Sequence, residues 1–305
     1  MPNFTMLVGL SGSGKSYYAS DFFMFQDTAV ISSDSLRKEL YGNESDQTHN
    51  SQVFTEMEKR TIENLKNNKS VLYDATNLNR KRRVALLKNL KKEVKRNDIS
   101  YFCSIIYRDI EECIRLDSER ERTVGENVII SQARMFEIPT KDEGWDYIGI
   151  TDYVKEKITP MKYIESLKDF DQKNHNHALT LGEHCIKTRE HSYSLIENLN
   201  STNWEYPIIM ASYLHDIGKV YTGAINKYGD MSYFNHENVG AYMVLGFSNY
   251  FSKKDIMVIS WLIQYHMRPY TWSPDNKGKS NFVKIWTDTL TDKLLVLHEA
   301  DKLAH

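Results

Sequence analysis

Cysteine is scarce in this chain. Cys103, Cys113 and Cys185 are the three in 305 residues, and no two form a Cys-x-x-Cys pair. That excludes a disulfide framework and predicts reduced, partly buried thiols. Neither sign of charge prevails: 39 Lys and Arg stand against 41 Asp and Glu, a net charge of -2. No global attraction to nucleic acid follows from that balance, so any such contact needs a local basic patch. Long apolar runs are also missing. Phe22-Phe23-Met24-Phe25 is broken at once by Gln26 and Asp27, far short of the ~20 residues that span a bilayer. The N-terminal stretch lacks the basic-then-apolar order of a signal peptide, so a cytoplasmic protein without membrane association is expected. Internal repeats and low-complexity tracts are absent as well. What remains is 41% hydrophobic and 26% charged, the composition of a soluble globular protein long enough for two domains.

The two halves differ in pattern. Short β-branched and aromatic runs at Thr5–Val8, Ala29–Ile31, Val71–Tyr73, Ile99–Tyr107 and Trp145–Ile150 alternate with helical stretches. Asp109, with Glu112 three residues later, reads as a capped helix start. Such alternation predicts an α/β domain with a mostly parallel sheet and helices on both faces. From about Asp171 onward the periodicities are long and helical, with no strand series, which predicts an all-α second domain. Thr159-Pro160 and the polar run Asp169–Asn174 mark the change. The expected boundaries are a first domain over 1–157, a linker over 158–171 and a second domain over 172–305.

Gly9-Leu10-Ser11-Gly12-Ser13-Gly14-Lys15-Ser16 follows the first strand and opens a helix. In that setting the pattern reads as a P-loop. Glycines let backbone N–H groups curl around phosphate, Lys15 reaches the terminal phosphates, and Ser16 meets Mg²⁺. The helix N-terminus adds partial positive charge. ATP or another nucleoside triphosphate with Mg²⁺ is therefore expected here. Asp34 and Asp74 each close a strand, where open α/β sheets place their sites. Asp34 suits a base for an attacking hydroxyl, although it or Ser33 reads equally as a helix cap, and Asp74 as a turn residue. Arg120 and Arg122 are candidates to close over a transferring phosphoryl group. From Arg80 to Arg96 nine basic residues stand against Glu93 alone. The run is either a solvated helix face or a polyanion contact.

Taken in order, the P-loop, Asp34 and Arg37, Asp74-Ala75-Thr76-Asn77-Leu78-Asn79 with Arg82-Arg83, and the Arg120/Arg122 segment resemble phage-type polynucleotide 5′-kinases over about residues 1–150. The resemblance implies that Asp34 is the general base for a 5′-hydroxyl and that Arg37 holds a phosphate of the acceptor strand. It also implies that Asp74 supports the site and that Arg120 or Arg122 acts from a lid on the donor phosphates. Gly125 stands where family members often carry proline, which leaves both arginines as lid candidates.

In the second half, polar residues recur on buried helical stripes. Asp301 continues Leu290, Leu294 and Leu297. His266 continues Ile256, Ile259 and Ile263. His215 shares a face with Ile208 and Ala211, and His184 with Leu181, Cys185 and Leu195. A buried carboxylate needs a partner, and a metal ion shared with imidazoles is a good one. Adjacent His215-Asp216 can share one ion, with Gly218 expected to terminate the helix. His177 and His191 lie seven residues either side of His184, and periodicity does not choose among the three.

Glu183-His184-Cys185, His215-Asp216-Ile217-Gly218-Lys219 and Ala300-Asp301-Lys302 resemble the HD phosphohydrolase superfamily over about residues 172–305. That resemblance selects His184. It implies an all-α fold with one metal on His184, His215, Asp216 and Asp301, and a second drawing on His236 and His266. The metals would be divalent transition ions of unassigned identity. Lys219 and Arg268 read either as cations that stabilise negative charge nearby or as surface charges. A polynucleotide-kinase-like domain joined to an HD domain resembles bifunctional RNA-repair enzymes. Such an enzyme phosphorylates a 5′-hydroxyl and removes a 2′,3′-cyclic or terminal phosphate, acts on RNA or DNA ends, and leaves sealing to a separate RNA ligase. The alternative is a small-molecule or nucleotide kinase fused to an HD nucleotide phosphohydrolase, and a third reading, a non-catalytic nucleic-acid or nucleotide sensor, predicts ATP binding without phosphoryl transfer.

Overall fold

A computed structural model of the chain describes residues 1–23, 28–154, 157–173, 178–197, 205–272 and 277–305. Met24, Phe25, Gln26, Asp27, Asn174 and His177, which entered the readings above, lie outside the described residues. The chain divides into two units, one of residues 1–132 with 139–154, the other of 133–138 with 155–305.

In the first unit the chain runs β1 (Asn3–Val8), α1 (Lys15–Phe23), β2 (Thr28–Ser32), α2 (Ser33–Tyr41), α3 (Asn50–Lys66), β3 (Ser70–Asp74), α4 (Arg80–Val94), β4 (Ser100–Tyr107), α5 (Ile110–Ser118), α6 (Glu126–Arg134) and β5 (Tyr147–Asp152). All five strands are parallel, in the order β2-β3-β1-β4-β5. β1 is the centre: Phe4, Met6, Leu7 and Val8 are all buried, the continuous apolar run of a strand covered on both faces. Its flanking partners β3 and β4 lie on opposite sides, so the loop after β1 emerges at the switch point where α/β sheets bind ligands. Asp109 does precede α5, but its side chain caps nothing; it accepts the Tyr107 hydroxyl at 2.8 Å instead.

The second unit contains α7 (Pro160–Glu165), α8 (Leu181–Glu197), α9 (Glu205–Leu214), β6 (Gly223–Ile225), β7 (Met231–Tyr233), α10 (His236–Met243), α11 (Lys253–Tyr265), α12 (Lys277–Trp286) and α13 (Asp288–Leu303). α13 packs on α8 and α9, α11 on α9 and α10. Trp261, Tyr265, Phe282 and Trp286 form an aromatic cluster with neighbouring centroids 5.0–6.3 Å apart. Among the described residues the unit is helical apart from the antiparallel pair β6–β7, whose three-residue strands are too short to show as a period-two pattern. The stretch 158–171, read as a linker, carries α7, capped by Thr159 with Pro160 at its start. Ile164 and Leu167 are buried there. Gly182 of α8 makes room for it, since a Cβ would meet Lys168 N at 2.7 Å. Residues 133–138 pack within this unit too: Ile138 N donates to Gln264 Oε1 at 2.8 Å, and Phe136 meets Tyr242 edge-on.

Candidate active sites

The loop from Gly9 to Gly14 is held by its neighbours as a turn that only glycine permits at two points. Gly12 and Gly14 have φ of 82° and 102°, where a side chain is strained. A Cβ on Gly12 would also meet Cys113 O at 2.4 Å. Gln132 of α6 clamps the loop, accepting from Ser11 N at 2.7 Å and donating to Ser11 Oγ at 3.0 Å. Lys15 donates to Leu10 O at 2.7 Å, and Ser16 is exposed at the start of α1. Burial lowers the Lys15 pKa against the opposing pull of Asp74. Burial likewise raises the Asp74 carboxyl, with Lys15 opposing.

Asp34 lies in the first turn of α2, preceded by Ser32 at the cap position, so the helix-cap reading of Asp34 does not apply. Its side chain is 55% exposed while that of Arg37 is 6% exposed, and Arg37 Nη1 donates to Asp34 Oδ1 at 2.7 Å. Arg37 Nη2 donates to Asn50 Oδ1 at 2.8 Å. Arg122 Nη1 stands 3.5 Å from Asp34 Oδ2 and 3.6 Å from Glu44. Arg120 is exposed and within electrostatic reach of Lys15.

Three features were missed in the sequence. Buried Asp117 accepts the backbone N–H groups of Val124 and Gly125, each at 2.9 Å, and so pins the loop that carries Arg120 and Arg122. Arg108, at the end of β4, lies over the Tyr153 ring beside Gly14. The third is a correction. Arg83 is not part of a basic face: it is fully buried in a bidentate pair with Glu143, at 2.8 and 2.7 Å, and also donates to Asn77 O and Leu78 O. Trp145 Nε1 supplies Glu143 with a further bond at 3.0 Å. Three others of the run are also engaged, Arg80 with Asp142, Lys91 with Gly144 O and Arg96 with Asp98, while Lys81, Arg82, Lys88, Lys92 and Lys95 are exposed.

In the second unit, four imidazoles and two carboxylates converge. His184 Nε2 lies 3.0 Å from Asp301 Oδ1 and 3.2 Å from His215 Nε2. His215 Nε2 lies 3.3 Å from both Asp216 Oδ2 and Asp301 Oδ1. The other oxygen of Asp216 turns to a second pair: His236 Nε2 at 3.0 Å and His266 Nε2 at 3.7 Å, themselves 3.2 Å apart. One carboxylate thus bridges two ligand sets. The atoms of His184, His215 and Asp216 lie within 4.8 Å of one another, as do those of Asp216, His236 and His266. Three of the rings are fixed through Nδ1, to Ser212 O at 2.9 Å, Tyr233 O at 2.7 Å and Ile263 O at 2.7 Å. A ring that donates from Nδ1 presents an Nε2 lone pair inward, the tautomer a metal requires. Asp301 Oδ1, buried, has no hydrogen-bond donor satisfying it. Nitrogen and carboxylate donors so arranged fit one or two divalent transition ions.

At His215 the electrostatics of the metal-free protein favour a charged ring, whose proton a metal would displace. Burial acts against the charged form of His215, yet Asp216 and Asp301 outweigh it and hold the ring up at about 10. Burial, aided by His236 and His215, pushes His266 down to about 3. Burial also opposes ionisation of Asp301 and Asp216, but the neighbouring imidazoles hold both carboxyls well below the usual range. Lys219 is buried, 2.7 Å from Asp216 Oδ2 and 2.8 Å from Gln172 Oε1.

His215 and Asp216 follow the end of α9. Gly218 does not terminate that helix: it sits in a 3-10 turn, where a Cβ would meet His236 O at 2.0 Å. Its role is to let α10, with His236 at its start, approach the turn. Of the three histidines that periodicity left open, His184 is buried in the cluster and His191 is only half-buried. Arg268 is exposed and is not among the residues lining the cavity at this site. Tyr270, donating to Asp301 Oδ2 at 2.9 Å, and His305, 3.7 Å from Asp301 Oδ1, join the cluster without any sequence signal of ligand spacing. No helix among the described residues is long and apolar enough to cross a membrane.

Residues 4–139 match the family model of an AAA domain, and residues 181–305 that of an HD domain. No curated protein matches the chain. Among solved structures, one of the Pnkp1/Rnl/Hen1 RNA repair complex is similar at 22% identity, over 44% of this chain and 43% of that one, with a TM-score of 0.37. A second, of the Pnkp1/Rnl/Hen1 complex, is 22% identical over 52% of this chain and 48% of that one, with a TM-score of 0.33. A gluconokinase from Sinorhizobium meliloti 1021 is 16% identical over 51% of this chain and 85% of that one, with a TM-score of 0.34. The chain thus spans less than half the length of the first two. The sequence patterns, the folds and the two family matches agree: residues 4–139 are a kinase-like P-loop domain of the AAA type, and residues 181–305 are an HD domain.

Proposed function

We propose that this protein heals broken nucleic-acid ends, RNA in the first place, by adding phosphate at a 5′-hydroxyl and removing it from a 2′,3′-cyclic or terminal phosphate. The observation that carries the reading is the joining in one chain of a P-loop whose Lys15 feels the charge of Asp34 to a His/Asp cluster that could hold metal ions. Addition and removal of phosphate are opposed chemistries. They serve one purpose when a break leaves a 5′-hydroxyl and a blocked 3′ end that a separate ligase has to join.

At the P-loop, backbone N–H groups and Lys15 would hold the donor phosphates of ATP, and Ser16 would meet the accompanying Mg²⁺. Asp34 takes the proton of the 5′-hydroxyl; its oxygen bonds to the γ-phosphorus as the bond to the ADP oxygen breaks. Arg37 is spent on Asp34 and Asn50, which makes it the residue that aims the base. Asp74 supports the site from the end of β3, and Arg120 and Arg122 approach from the loop that Asp117 pins. At the HD site, His184, His215, Asp216 and Asp301 would hold one ion, and Asp216, His236 and His266 a second. Such ions would supply charge to neutralise phosphate oxygens and to acidify an attacking water. Lys219, fixed between Asp216 and Gln172, orients the bridging carboxylate and adds positive charge beside the phosphate.

A metabolite or nucleotide kinase fused to a nucleotide phosphohydrolase is favoured by one observation, the internal engagement of Arg80, Arg83, Lys91 and Arg96 within the basic run from Arg80 to Arg96. Competition separates the two readings. A labelled 5′-hydroxyl oligonucleotide is phosphorylated in the presence of an equal concentration of 3′-mononucleotide. End healing predicts that the oligonucleotide keeps most of the label; loss of its labelling to the mononucleotide contradicts it.

A further inference from the structure

The HD site opens into a cavity of about 620 Å³, larger than a phosphate alone occupies and within the range of whole-ligand pockets. Its floor is ionic, with Asp216, His236, His266 and Asp301. Its rim is mixed: Phe234, Met267 and Tyr270 line it, together with exposed Lys302 and His305. Phe234 is 78% exposed and Tyr270 46%. A phenyl ring so open to water has no packing role that explains its position, yet it borders the cavity that holds the candidate metal ligands.

The local backbone fixes this arrangement. Asn235, between Phe234 and His236, has φ of 62°. The left-handed turn sends His236 into the buried cluster and leaves Phe234 at the mouth. His236 Nδ1 donates to Tyr233 O at 2.7 Å, so the ligand and the strand end carrying Phe234 are tied together. Tyr270 is anchored at its hydroxyl to Asp301 and lies edge-on to His298, with centroids 4.3 Å apart. The Tyr270 ring is therefore held at a set position beside the metal-ligand cluster, and the backbone that carries Phe234 is fixed at the mouth.

We propose that Phe234, with Tyr270, is a stacking platform for the base of the nucleotide whose phosphate reaches the metal ligands. The inference rests on the reading of that cluster as a phosphate site. Stacking on an apolar ring offers no hydrogen bond to a base edge, so the platform takes all four bases alike and selects nucleotide ends over simple phosphate esters.

The test measures binding by calorimetry to the full-length protein loaded with Mn²⁺, its metal content checked by elemental analysis. The probes are the four nucleoside 3′-monophosphates, the four nucleosides and inorganic phosphate. The proteins are the wild type, Phe234→Ala, Phe234→Leu and Phe234→Trp. The P-loop is the same in all four, so differences among them report on the HD site. The preference for nucleoside monophosphate over inorganic phosphate is expected to fall about tenfold in Phe234→Ala, alike for each base, and to be retained by Phe234→Trp but not by Phe234→Leu. An unchanged preference in Phe234→Ala, or full retention by Phe234→Leu, overturns the platform. The phosphate reading fails separately if Mn²⁺ brings no gain in inorganic phosphate binding. The nucleosides still decide the platform then, since their binding must weaken in Phe234→Ala if the ring stacks on the base.

Discussion

Asp216 has one oxygen on His184, His215 and Lys219 and the other on His236 and His266. Removing a ring from one set and removing the bridge should therefore differ. His236→Ala is expected to lower bound metal from two ions to one per chain, and Asp216→Ala to abolish retention of both, as read by elemental analysis after dialysis. Proton competition should mark the first set. A metal has to displace the proton that the carboxylates keep on His215 up to about pH 10. Its apparent affinity is then expected to rise with pH, about tenfold per unit above neutrality, in chelator-buffered titrations. Arg83 teaches a different lesson at this scale. In the sequence it is one of nine basic residues and, beside Arg82, part of the kinase-like pattern, but nothing marks it as buried; its partner Glu143 is sixty residues away, at a spacing that carries no periodicity. Breaking a buried pair strands the remaining charge, so Arg83→Met should cost about 3–5 kcal/mol in the chemical denaturation of the first unit. Arg82→Ala, at an exposed position of the same helix, should cost almost nothing.

Elements were legible where their signal is long or repeated. All five parallel strands stand in the sequence as β-branched runs, and the buried stripes of α8, α11 and α13 show at helical spacing. What was hidden is what depends on contact: the three-residue strands β6 and β7, α7 within the supposed linker, and the reason for Gly218. That glycine permits α10 to lie against the turn after His215-Asp216. Gly218→Ala should push α10 away, lose the ion held with His236 and cost about 1–3 kcal/mol as an overpacking change, with the His184 set still able to bind. The lid loop makes a parallel case. Asp117 holds it through two backbone N–H groups. Asp117→Ala should lower kcat/KM for 5′ phosphorylation about tenfold through misplacement of Arg120 and Arg122, and should open residues 119–125 to limited proteolysis. If neither changes, the loop is not held by this carboxylate.

Each of the two units has its own buried core and its own site, and this independence has a functional consequence. Loss of one chemistry should leave the other intact. The direct measurement uses an RNA oligonucleotide with a 5′-hydroxyl and a 2′,3′-cyclic phosphate, incubated with ATP, Mg²⁺ and a panel of divalent transition metals, with both ends followed by mass. End healing predicts that the wild type converts both ends, that Asp34→Ala leaves only the 5′ end unhealed, and that Asp216→Ala leaves only the 3′ end blocked. An RNA unchanged at both ends, in a preparation that turns over free nucleotides, would contradict the account and assign the chain to small-molecule chemistry.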